Sequence, residues 1–146
     1  MLIGANVGSV GRALTMGIVE LTGSRGQRLA IHAQCPFRLL HDEKILLGSA
    51  DMKFPQRGTG TAAFDEFRTI FDSAAVIVND ILGRLDGLVS EVQISSGGAL
   101  IVRWSAGMTL EVFPDSSGPV EAWRVLDRDA TVSIQRDYGF PWDLDI

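Results

Sequence analysis

Residues 37–51 read FRLLHDEKILLGSAD, and residues 123–137 read WRVLDRDATVSIQRD. Both stretches run in one order: an aromatic (Phe37, Trp123), an arginine (Arg38, Arg124), a leucine (Leu40, Leu126), an acid (Glu43, Asp129) and an aspartate (Asp51, Asp137). Working outward, GQRLAI matches GMTLEV, with Gly26, Leu29 and Ile31 facing Gly107, Leu110 and Val112. Further out, GANVGSV matches GRLDGLV, with Gly4, Gly8 and Val10 facing Gly83, Gly87 and Val89. Each identity is cheap alone. Their common order predicts an internal duplication, with repeat 1 over about 1–51 and repeat 2 over about 83–137.

Each repeat reads as a β-meander. Leu110 and Val112 alternate with Thr109 and Glu111, and Trp123 and Val125 alternate with Ala122 and Arg124, as in half-buried antiparallel strands. The Gly-rich breaks TGSRG, SSGGA and SAGM are hairpin chemistry. A lone meander cannot bury its faces and edges. Two copies can share a core, either as one continuous antiparallel sheet or as two packed sheets.

Between the repeats lies the strongest helical period. Phe64, Phe67, Ile70, Phe71, Ala74, Ala75, Val78, Ile81 and Leu82 fall on one side at about 100° per residue. The spacing predicts one long amphipathic helix over about 62–82. Thr59 or Thr61 is its expected N-cap, Asp65 and Glu66 its first turn, and Gly83 its left-handed end. The expected fold is therefore a single α+β domain over 1–146, mostly antiparallel β with a two-fold pseudo-repeat. The connector and helix fill 52–82, and an aromatic tail follows over 138–146.

At 146 residues and 46% hydrophobic content, the chain is long enough to build a core without disulfide or metal. Cys35 is the only cysteine, which suits a reducing compartment and a cytoplasmic location. The net charge is −5 and the basic residues are scattered, so nucleic acid is not an expected partner. No run approaches the ~18 apolar residues that a bilayer span needs, and no membrane partner is expected. The start, MLIGANVGSVGRALTMG, lacks a basic n-region and is expected to belong to the fold.

The stretches LAIHAQCPFRLL, ILGRLDGLVSEVQISSGGALIVRW and LEVFPDSSGPVEAWRVL together resemble a group of small bacterial domains of unknown function, over roughly Gly11 to Ile134. The ending DYGFPWDLDI departs from that group, which tends to finish in a Gly-rich turn and a last strand. The resemblance implies an accessory or immunity-type protein. It implies no activity, cofactor or catalytic residue.

Candidate chemistry is thin. GANVGSVGRA has Gly4, Gly8 and Gly11, which is not the dinucleotide spacing, and reads as a turn between strands. His32, Cys35, His41 and Asp42 lie close in sequence but fit no zinc spacing, and Cys35 beside Pro36 reads as a packing residue rather than a nucleophile. No cofactor and no metal is expected. The connector MKFPQRGTGTAA suggests an anion site of Lys53, Arg57 and Thr59 at the helix start, joined by Arg38 or His41. A mobile connector explains the same residues. In RDYGFPWDLDI, Tyr138, Phe140 and Trp142 stand among Asp137, Asp143 and Asp145, as aromatic anchors of a protein interface do. An equal alternative is a tail folded over its own core. The expected function is a non-enzymatic protein-interaction module that binds a protein partner or itself as a homodimer. Small-ligand or anion binding through residues 53–61 is the alternative, and an enzyme is the weakest reading.

Overall fold

The computed structural model describes residues 1–58, 63–118, 120–130 and 136–138, the last three for their backbone alone. The first half forms β1 (Asn6–Ala13), β2 (Met16–Thr22), β3 (Arg28–Ala33), β4 (Phe37–His41) and β5 (Lys44–Gly48). A short 3-10 turn, Ser49–Lys53, and a connector lead to α1 (Ile70–Arg84). The second half forms β6 (Val89–Ile94), β7 (Leu100–Trp104), β8 (Met108–Val112), β9 (Trp123–Asp127) and β10 (Arg136–Tyr138).

There are two sheets, both antiparallel and both five-stranded, in the orders β1-β2-β3-β9-β10 and β6-β7-β8-β4-β5. Moving each label of the first order on by five, with β1 following β10, gives the second. Each half therefore keeps three strands together and sends its last two into the other half's sheet. The inward rows of both sheets and one face of α1 form a single core around Leu29, Leu39, Phe71, Leu110 and Trp123.

The ladder registers do not align the two halves as the sequence match does. Arg38 pairs with Glu111, and Arg124 pairs with His32, so His32 answers to Glu111 and Ile31 to Leu110. Reading the two strings side by side puts Ile31 opposite Val112, a slip of two that keeps every side chain on its own face. GANVGSV is not a turn. It opens β1, and the register shifts between Val7 and Ser9, as it does in β6 between Val89 and Glu91. Val7 thus answers to Val89, and Val10 to Val92. At the shared corner, Val7 N–H donates to Gly87 O at 2.9 Å and Val89 N–H donates to Ala5 O at 2.8 Å. At the other end of β2, Gly17 permits the close packing of β4: a Cβ would stand 2.3 Å from the Phe37 ring.

The helix begins later than its period suggests. Asp65 Oδ1 accepts from Phe67 N–H at 2.9 Å, and Arg68 N–H donates to Asp65 O at 3.0 Å, closing a local turn that competes with helix. Phe64 and Phe67 are exposed rather than core-facing. The cap is Thr69, whose N–H and hydroxyl both donate to Asp72 Oδ2 at 2.9 Å. Thr59 and Thr61 lie outside the described residues. Gly83 sits inside α1, and the helix ends on Leu85.

Phe71, Ala75, Val78 and Leu82 face the core, and the Phe71 ring meets Phe37 edge-on at 6.0 Å. Two polar contacts fix α1 on β1. Asn79 Oδ1 accepts from Val10 N–H at 2.7 Å, and Asn79 Nδ2 donates to Val10 O at 2.9 Å. The amide thus closes the open edge of β1 as a strand would. Arg12 Nε and Nη2 donate to the two oxygens of Asp72, each at 2.8 Å.

The Arg12 hydrogen bonds, aided by those from Thr69, hold the Asp72 carboxyl down at about 2 against an ordinary 3.8. Its folded form is the ionised one, so its contribution is complete above pH 3.8 and fades as pH falls toward 2. Asp72→Asn should cost about 1–2 kcal/mol at neutral pH, after allowance for partial exposure, and flatten the acid limb of urea unfolding. Asn79→Ala should cost a similar ~1–2 kcal/mol and speed amide exchange at Val10.

Candidate functional site

The outer face of the first sheet carries a polar band. His32 on β3 is buried there between two guanidiniums, with Arg124 Nε 3.4 Å from Nδ1 and Arg128 Nη2 3.5 Å from Nε2. Each arginine also has a carboxylate. Arg128 makes a two-pronged pair with Glu20 at 2.7 and 3.2 Å, and Arg124 Nη1 lies 3.5 Å from Glu121. Gln34 Nε2 donates to the same Glu121 at 2.9 Å. A neutral imidazole has one donor and one acceptor nitrogen, so it can accept from one arginine only. Burial pushes the His32 pKa below its ordinary value, and the charges of Arg124 and Arg128 push the same way, against Glu20. Beside this band, Glu20, Thr22, Arg28 and Arg128 line a shallow concavity of about 470 Å³. Arg28 is held there by Asp129 at 2.8 Å. These cations are already neutralised, so the band acts as a cross-strand tie rather than an anion seat.

The candidate anion residues do not converge. Arg38 leaves β4 on the outer face, where Nε meets Glu111 Oε2 at 2.6 Å and the guanidinium carbon lies 5.5 Å from the Phe113 ring centre. Its partner, Glu111, comes from the other half of the chain. Alternation along β4 puts His41 in the opposite row with Phe37 and Leu39, and its Nε2 lies 3.6 Å from Asp42. Lys53 and Arg57 are exposed on the connector, which does reach the helix start, since Ile70 N–H donates to Phe54 O at 3.0 Å. That helix start, however, already holds the carboxylate of Asp72. Thr59, Phe140 and Trp142 lie outside the described residues, as does the side chain of Tyr138.

Cys35 is half-buried, and desolvation, with Asp115 nearby, pushes its thiol up to about 12. It is a poor nucleophile at neutral pH. Among the described residues, no group of three or more His, Cys, Asp or Glu side chains could hold a metal ion. No helix is long and apolar enough to cross a membrane, again among the described residues.

Two apolar surfaces remain. One is a cleft of about 520 Å³ between β6–β7 and β9, floored by Leu2, Val92, Leu100, Trp123 and Val125. The other is the outer side of α1 and its connector, where Phe67, Val76 and Ile77 are 68%, 72% and 63% exposed and Phe54 and Phe64 are exposed beside them. The bridge between Pro55 and Thr69 holds Phe54 next to the start of α1. Sequence periodicity missed this ridge because it counted Phe64 and Phe67 as core; Val76, apolar among the polar residues of the helix's outer side, was the available signal.

His32 gives a pH test. Its folded pKa lies below the ordinary 6.5, so the unfolded chain takes up the proton first and stability falls as pH drops below 6.5. In His32→Gln, the loss of stability between about pH 7 and about pH 5 should shrink, read by urea unfolding across that range. No protein-family model, no curated protein and no solved structure matches the chain, so the site rests on geometry.

Proposed function

We propose that the chain is a non-enzymatic, cytoplasmic protein-interaction module of the accessory or immunity type that its sequence resembles. It docks a protein partner through the ridge of Val76, Ile77, Phe54, Phe64 and Phe67. What supports this is exposure: Val76 and Ile77 on α1, and Phe54, Phe64 and Phe67 before it, are all exposed, while Phe71, Ala75, Val78 and Leu82 of α1 fill the core. Several large exposed apolar side chains near one helix are what a docking face offers. The net charge of −5 favours a basic partner and fast encounter with it. Against the alternative of anion binding by residues 53–61 stands the occupation of the helix start by Asp72.

Affinity purification from the native host should recover one basic protein. A Val76→Ser, Ile77→Asp double variant should lose that protein by roughly tenfold or more while keeping the wild-type melting temperature, because both side chains are solvent-facing. Equal recovery by the variant would remove the ridge from the proposal.

A further inference from the structure

Val10 and Val92 occupy corresponding places. Each lies three residues beyond the valine that precedes a register shift, in the first strand of its half, at the edge of its sheet. The outward N–H and C=O of Val10 are closed by Asn79. The helix that supplies Asn79 packs on β1 and β5, and β6 is the opposite edge of the sheet that β5 ends.

The outward groups of β6 can be traced. Ser95 N–H donates inward to Ala99 O at 2.9 Å, so alternation turns Gln93 and Glu91 toward β7 and Val92 and Ile94 outward. At Val89 the edge is already taken, since Gly4 N–H donates to Val89 O and Val89 N–H donates to Ala5 O, both at 2.8 Å. Beyond that point, among the described residues, β6 has a strand partner on one side only. Ile94 is 38% exposed and Val92 half-buried, and both border the cleft together with exposed Met1 and Ile3. Glu91 is the one charged residue of β6, and Arg103 neutralises it at 2.9 Å.

We propose that this edge pairs with the same edge of a second copy, antiparallel and centred on Gln93. Val92 of each copy then faces Ile94 of the other, which closes the outward backbone groups of both residues. Glu91 faces the neutral Ser95 of the other copy, so the pairing brings no like charges together. A centre on Val92 would instead set Ile94 against Ser90, beside the stretch where Gly4 and Ala5 already close the edge. The pairing is isologous and self-limiting, and the two sheets that carry β6 join into one. It uses none of the residues of the helix ridge.

Gln93→Cys tests both the surface and the register. Residues at the centre of such a pair sit in a non-hydrogen-bonded position with Cα atoms about 4.5 Å apart, within disulfide reach. Light scattering on the wild-type chain should give twice the 15.8 kDa mass, and mild oxidation should convert Gln93→Cys to a covalent dimer. Ser90→Cys should convert far more slowly, and the native Cys35 should not compete. Ile94→Lys, at a partly exposed position, should return the chain to a folded monomer that melts where the wild type melts at high dilution. A wild-type monomer throughout a dilution series, or equal oxidation of the two cysteine variants, would overturn the proposal. So would a dimer that survives Ile94→Lys and is lost on Ile77→Asp, which would give self-association to the helix ridge.

Discussion

An antiparallel sheet ends in a row of unpaired N–H and C=O groups, and the structure is organised around where those rows are closed. At β1 the closure is made by one side chain. Asn79 presents its carbonyl oxygen and amide nitrogen to Val10 as a neighbouring strand would present backbone. It can do so only because α1 is held at a fixed height. The capping contacts from Thr69 to Asp72 fix where the helix begins, and Arg12 clamps the same carboxylate from β1. One aspartate therefore starts the helix and anchors it to the strand whose edge it closes.

The exchange of strands between the halves explains the cooperativity expected of such a chain. β9 lies between β3 and β10 in a sheet begun by the first half, and β4 lies between β8 and β5 in the sheet begun by the second. Neither half can complete a sheet alone, since each would leave β3 or β8 with an open edge in mid-sheet. The cross-half ties sit at these junctions: Arg38 on Glu111, and Arg124 against His32. Surface ion pairs of this sort are individually weak. Their effect here is on register, because a ladder that slips by two residues keeps its apolar face and loses little else.

That tolerance also shows what could be read from the chain beforehand. The α+β class, the antiparallel strands and the single helix follow from alternation and period. The register between the halves does not, because period-two patterning is blind to a shift of two, and Ile31 looks as well matched to Val112 as to Leu110. The helix start was written in the sequence as Thr69-x-x-Asp72, a capping box with Asp in place of Glu. It was overshadowed by Phe64 and Phe67, whose spacing continues the helical stripe although Asp65 ties the local backbone into a turn. Arg12, Asn79 and the pairing of Arg38 with Glu111 could not be read, because their partners lie 60, 69 and 73 residues away in the chain. The ridge was hidden by the same miscount that placed its phenylalanines in the core.

A closed dimer through β6 is also the arrangement that leaves the ridge useful. If the ridge of one copy instead entered the cleft of the next, the contact would join unlike surfaces and repeat head to tail without closing. Pairing like edges would use β6 in both copies and none of the exposed apolar residues of α1 and its connector. In the proposed dimer, a partner with two matching surfaces would meet two ridges, and the second contact would be made at high effective concentration. The proposed pairing thus rests on an asymmetry between two edges: Val10 is sealed from within by Asn79, while Val92 has a strand partner on one side only among the described residues.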